Sequence, residues 1–206
     1  MLNSDVAALL SPAYAPCTSF REACSTLRWS PDEGHVPRGF CGATGRIEEV
    51  ELVLVYAEPG NPHDGEVHTG IESTVSYTYE CFKSGTDLFH RNVRILLDMC
   101  FPGLSFDDQL RKAWLTESLL CSAPREGGAV SAAAWRACSR KYLMPQLKLF
   151  RRATVVALGN KAQKRLSSMR IKFIPAASVA PPGCNFRSAR QSWEDAAKIF
   201  RNRRSQ

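Results

Sequence analysis

The chain has 206 residues, 44% of them hydrophobic and 23% charged, the make-up of one globular domain with a substantial core. That length excludes two full-sized domains, and no apolar run approaches the ~20 residues with which a helix spans a bilayer. A net charge of +7 and a pI near 9.1 tilt the choice of partner modestly towards a polyanion such as nucleic acid.

The first fifteen residues carry no basic leader, so a cytoplasmic protein without a secretory signal is expected. Eight cysteines are many for such a chain. Disulfides are then the weaker explanation, and buried thiols compete with metal ligation, although no Cys-x-x-Cys pair is present. Basic residues gather over 136–148, 151–152, 161–170 and 201–204, each of which also reads as a solvated helix face.

Residues 1–45 read as a loop-rich layer over the core, with a short helix at 20–27 before a glycine- and proline-rich stretch. Gly39, Gly42 and Gly45 could cradle a phosphate, but their spacing matches no nucleotide loop and a plain loop is the simpler reading. Val50, Leu52, Val53, Leu54, Val55 and Tyr56 form an apolar run, the pattern of a strand covered on both faces. Glu58 follows, before Pro59, Gly60 and Pro62 turn the chain. Ligands of open α/β sheets bind outside the carboxyl ends of the strands, so Glu58 stands where such folds keep their chemistry.

Tyr77, Tyr79 and Phe82 form an aromatic cluster in a segment of undecided structure. Phe89, Val93, Leu96, Leu97 and Cys100 have helical spacing over 86–100, with Asp87 in the first turn. A second buried strand reads over 113–120, and Ser131 caps a helix to about residue 143. A third strand at 154–158 leads through Gly159 into a helix capped by Asn160. A short fourth strand lies at 171–175, and the last helix begins near Ser192, which has capping-box spacing to Asp195. Alternating strands and helices predict an α/β fold, a three-layer α/β/α sandwich on a four-stranded, mainly parallel central sheet. The whole chain forms one domain, with the loop-rich layer at 1–45, the α/β core at 46–200 and a basic tail at 201–206.

Three stretches carry a family likeness. Thr116 to Pro124 resembles a strand ending in T-N-x-x-K-C-x-P-P, and Cys138 with Tyr142 to Leu147 resembles a cysteine-bearing helix. Val155 to Ala162 resembles a V-x-L-G-x-x-A strand-to-helix turn. In this order over residues 50–200 they resemble the uracil-DNA glycosylase superfamily, most closely its iron–sulfur branch. Tyr56-Ala57-Glu58-Pro59-Gly60 stands where that family has G-E-x-P-G, G-Q-D-P-Y or G-x-N-P-G.

The resemblance implies a DNA glycosylase-like hydrolase of base-excision DNA repair. It would bind DNA, flip out a uracil or another damaged or deaminated base, and hydrolyse the N-glycosidic bond. The alternative is a catalytically weak or inactive nucleic-acid-binding member of the same fold. No membrane partner is expected, and in a prokaryote the protein would sit at the nucleoid.

Cleavage builds positive charge on the sugar and needs a water held opposite the leaving base. Glu58, with Asp64 as a second candidate, would align that water; the plain reading of Glu58 is a loop carboxylate. Pro59, Gly60, Tyr77, Phe82, Glu117 and Asn185 would bind the base. Gly159, Lys161, Phe186 as a wedge and Arg187 as a phosphate contact would bind DNA.

Two departures stand out. The family's H-P-S-P after the fourth strand has no counterpart in residues 176–185, and His35, His63, His68 and His90 all lie earlier in the chain. Glu117 replaces an Asn, and an ionised Glu can only accept hydrogen bonds. A pocket there either keeps Glu117 protonated or prefers a base edge richer in donors than uracil; a strand-end Glu paired to a surface Arg is the plain reading. Cys121 and Cys138 match two of the branch's four cluster ligands. Cys17 and Cys24 are the N-terminal candidates, with Cys41 in reserve, so the one cofactor implied is a four-iron four-sulfur cluster.

Overall fold

The computed structural model describes residues 2–15 and 17–204. The chain opens with helix α1 (Ser4–Leu10), where Asn3 accepts a hydrogen bond from the Asp5 amide. A single 3-10 turn (Thr18–Arg21) replaces the helix expected at 20–27. The two-residue strand β1 (Cys41–Gly42) follows, then β2 (Leu52–Tyr56). Residues left undecided by the sequence form helix α2 (Ile71–Ser84), and α3 (Leu88–Cys100) starts one residue after Asp87, its N-cap. Helix α4 (Phe106–Lys112), absent from the sequence reading, is capped by Ser105 and leads directly into β3 (Ala113–Glu117).

Helix α5 (Ala132–Cys138) passes through a π-helical segment at Ser139–Leu143 into α6 (Met144–Leu149). Pro145 lacks the N–H that an α-helix would aim at the Lys141 carbonyl, and the helix widens just before it. Strand β4 (Thr154–Leu158) leads through Gly159, at φ +85°, into α7 (Asn160–Ser168), so the cap is Gly159 rather than Asn160. Strand β5 (Ile174–Ala176) is shifted from the expected 171–175. Helix α8 (Arg187–Arg204) starts five residues before Ser192, whose hydroxyl instead accepts from the Ala177 amide at 2.6 Å.

The sheet has five strands in the order β1-β3-β2-β4-β5, all parallel except the short antiparallel edge strand β1. It is the three-layer α/β/α arrangement the alternation predicts, with one more strand because two residues are too few to leave a pattern. On one face Leu52, Leu54 and Leu115 pack against α3, α4 and α8. On the other Val53, Val55 and Trp114 pack against α1, α5 and α7. The buried Trp114 donates through Nε1 to Gln146 Oε1 at 2.8 Å, and Thr116 donates to the same oxygen.

Candidate functional site

Parallel strands deliver their carboxyl ends to one edge of the sheet, and there the structure has a cavity of about 1300 Å3. Tyr56 and Glu117, opposite each other in the β2–β3 register, form its floor. The turn after β2, the β4–α7 turn, residues 178–182 and the amino end of α3 form the walls, and Arg38 and Gly39 reach in from the N-terminal layer. The volume exceeds that of common small-molecule sites.

Glu58 lines this cavity, but both its oxygens are engaged. Lys161 Nζ reaches Oε1 at 2.5 Å and Arg165 Nη2 reaches Oε2 at 2.5 Å. The carboxylate side chain is only 5% exposed. Arg165 is buried too and also donates to the Ala57 carbonyl at 2.6 Å and to Ser118 Oγ at 3.0 Å. Lys161 donates to the Gly127 and Gly128 carbonyls. Glu58 thus anchors the β2 turn to α7 and to the 127–128 loop through charge-assisted bonds.

Glu117 is not paired to a surface Arg. It is 3% exposed, and its Oε2 has no hydrogen-bond partner. Burial, reinforced by the negative charge of Glu58, holds its carboxyl well above the usual range, with Arg165 and Arg38 opposing. The neutral form offers both a donor and an acceptor, whereas the ionised form can only accept. Gly39 makes room for it, because a Cβ there would meet Glu117 Oε1 at 2.8 Å, and its φ of +82° suits glycine alone. Beside it the buried Tyr56 hydroxyl is also unpartnered, its pKa raised by burial and by Glu117.

A polar network that the sequence did not single out occupies one wall. Arg38 approaches Glu66 Oε1 at 3.5 Å, and the same oxygen meets His68 Nε2 at 2.8 Å. His63 Nδ1 lies 2.8 Å from the Tyr77 hydroxyl and its Nε2 3.4 Å from Asp87 Oδ2. Asp87 Oδ1 accepts from the His90 amide and lies 2.9 Å from His90 Nδ1. The tight turn after β2 and the N-cap of α3 bring together histidines that are far apart in sequence.

Of the other expected residues, Pro59, Gly60, Tyr77, Gly159, Lys161 and Asn185 line the cavity, while Asp64 lies in an exposed turn outside the lining. Phe82 is fully buried under α3 and away from the cavity, and Tyr79 stacks on Phe106. Phe89, edge-on to Tyr56 at 5.1 Å, also lines the cavity. Phe186 is 68% exposed, and the exposed Arg187 opens α8.

Cys24, Cys121 and Cys138 are buried in the core layer behind the sheet, with Cys17 packed against it, and all four are free thiols. Burial, and then the charges Cys138, Cys24 and Cys17 would carry, push the Cys121 thiol well above its usual value. Burial takes Cys24 up to about 11 and Cys138 up to about 12. At Cys17 burial is outweighed by hydrogen bonding with Tyr142 and Ser19 and by Lys141, which lower the thiol. Among the described residues no three His, Cys, Asp or Glu side chains surround a point where a single metal ion would sit. An iron–sulfur cluster requires four convergent thiolates, and the described residues show no such group around Cys17, Cys24, Cys121 and Cys138.

No family model matches the chain, and no curated protein does.

Proposed function

We propose that this chain is a uracil-DNA glycosylase-like protein that draws an extruded base of DNA into the cavity and hydrolyses its N-glycosidic bond. The observation that carries the reading is Glu117, a buried carboxyl with an unpartnered oxygen at the end of β3 on the cavity floor, which burial pushes towards its neutral form. It offers a base edge with adjacent donor and acceptor the complement that an ionised Glu would deny. Phe89 supplies a ring at the wall, and Lys161, Arg187 and the exposed Phe186 meet the duplex around the opening. Glu58 supplies the anion beside the sugar.

Base release from oligonucleotides carrying uracil, hypoxanthine, xanthine or mismatches, read as alkali-labile strand breaks, tests this. The parent protein is expected to release at least one of these bases, and Glu58→Gln to be slower by about 100-fold. Equal rates would leave Glu58 a purely structural role. A second reading, binding without cleavage, is favoured by the double ion pairing of Glu58 and by the lack of histidine after β5. It prevails if neither protein releases a base while both bind DNA with steep salt dependence.

On the family resemblance alone, Cys17, Cys24, Cys121 and Cys138 are proposed to hold a four-iron four-sulfur cluster, which would pin the N-terminal layer to β3 and α5. Anaerobically purified protein is then expected to contain about four iron atoms per chain and to absorb in the blue. Cys121→Ser would lose both the iron and the colour, whereas colourless, iron-free parent protein returns the four thiols to core packing.

A further inference from the structure

The proposed hydrolysis needs a group to take a proton from water, and Glu58 is poorly placed to do so, with one short charge-assisted bond at each oxygen and almost no exposure. Two of the four histidines, His63 and His90, line the cavity. They are not equivalent. His63 has both ring nitrogens engaged, Nδ1 accepting from the Tyr77 hydroxyl and Nε2 facing Asp87 Oδ2. His90 has one engaged and one free: Nδ1 lies 2.9 Å from Asp87 Oδ1, and no protein group among the described residues bonds Nε2.

We propose that His90, oriented by Asp87, is the general base that activates the hydrolytic water. This rests on reading the cavity as a glycosylase site.

The pairing with Asp87 selects the tautomer that fits this role. Burial opposes ionisation of Asp87, but the His90 amide and the His90 and His63 rings hold its carboxyl below the usual range. An ionised carboxylate can only accept, so His90 carries its proton on Nδ1 and its lone pair on Nε2. Burial keeps the His90 imidazole below its ordinary pKa, with Asp87 opposing, and so preserves the neutral form that can accept a proton. The orientation is rigid as well: Asp87 is the N-cap of α3, and the His90 ring packs edge-on against Phe82 at 4.8 Å. Two residues further along α3, Asn92 donates to the Val179 carbonyl at 2.9 Å and ties the helix to the loop after β5. His90 and residues 178–182 of that loop, which has no histidine of its own, line the same cavity.

In the step, Nε2 takes a proton from water while the water oxygen bonds to the anomeric carbon. The glycosidic C–N bond breaks, and its electron pair leaves with the base. The imidazolium then returns its proton to the departed base. One water is consumed, and the products are the free base and a hemiacetal sugar.

The test is base release against pH for the parent, His90→Asn, His90→Ala and Asp87→Asn, alongside DNA affinity and thermal melting. His90→Asn is expected to lose ~100-fold or more in rate at unchanged DNA affinity. Added imidazole should restore rate to His90→Ala and not to the parent. Asp87→Asn keeps a good N-cap but no carboxylate, so its melting should hold while its rate falls and its acid limb moves. The charged and titratable groups facing His90 are Asp87 on α3 and His63 and Glu66 on the turn after β2, so this limb reports on them together. A parent that releases base, with His90→Asn matching its rate and pH profile, overturns this inference and leaves the glycosylase reading standing. A folded His90→Ala that imidazole does not revive also overturns it. A parent that releases no base from the whole panel overturns both.

Discussion

Replacing Arg165 by Met is expected to destabilise the protein by about 3–5 kcal/mol, more than any other single change around the cavity. The side chain is 6% exposed and serves three acceptors on two elements: Glu58, the Ala57 carbonyl and Ser118 Oγ. Removing it leaves Glu58 buried with Lys161 as its one remaining ion-pair partner among the described residues and leaves the Ala57 carbonyl without this donor. An uncompensated buried charge carries a desolvation cost that water cannot relieve. Lys161→Met should cost far less, about 1 kcal/mol or below, because the Lys161 side chain is 41% exposed. In the double variant Glu58→Gln/Arg165→Met the loss should be clearly smaller than the sum of the single losses, because the charge left stranded by one change is removed by the other. Urea melts of the parent, the three single variants and the double variant decide the matter. A loss below ~1 kcal/mol for Arg165→Met would mean that Glu58 is better hydrated than its burial implies.

This ion pair also marks what the sequence could convey. Glu58 was legible, because an apolar run ending in a carboxylate and two prolines has few readings. Its partners were not. Arg165 is more than a hundred positions away, in a segment whose alternating lysines and arginines read as a solvated face, and only the α7 register turns that residue inward. The apolar pattern predicts a strand over 113–120, three residues past its end, because Leu119 and Leu120 are as buried as strand residues although regular pairing stops at Glu117. Helix α2 was hidden by chemistry: its buried positions Thr74, Thr78, Cys81 and Phe82 keep helical spacing, but two are threonines. The polar wall was hidden by distance. Asp87 and His90 share the first turn of α3 while His63 lies on the turn after β2, and no local pattern announces that this turn and the helix cap will meet.

The second large effect expected is a pH dependence of stability owed to Glu117. Its carboxyl is pushed well above the usual range in the folded protein, by burial first and by Glu58 second, and it returns to an ordinary value, ~4.3, on unfolding. The folded state therefore holds a proton that the unfolded state releases. The stabilisation relative to an always-ionised group is complete below the unfolded value and is lost as pH rises towards the folded one, at ~1.4 kcal/mol per pH unit between the two. Glu117→Gln keeps the shape and one donor but cannot ionise. The difference in stability between parent and variant should therefore be flat at low pH and should grow in favour of the variant as pH rises above the ordinary carboxylate range. Taking the difference cancels groups of opposite sign, such as Glu66 and Asp87, whose depressed values remove stability as pH falls. The same titration reaches the proposed chemistry. If the neutral carboxyl reads the base, the parent should lose base release at the alkaline end while Glu117→Gln retains it, because an ionised Glu117 has no donor to offer. A difference curve flat across the whole range would mean that Glu117 is ionised inside the fold, and the cavity floor would then favour a donor-rich edge.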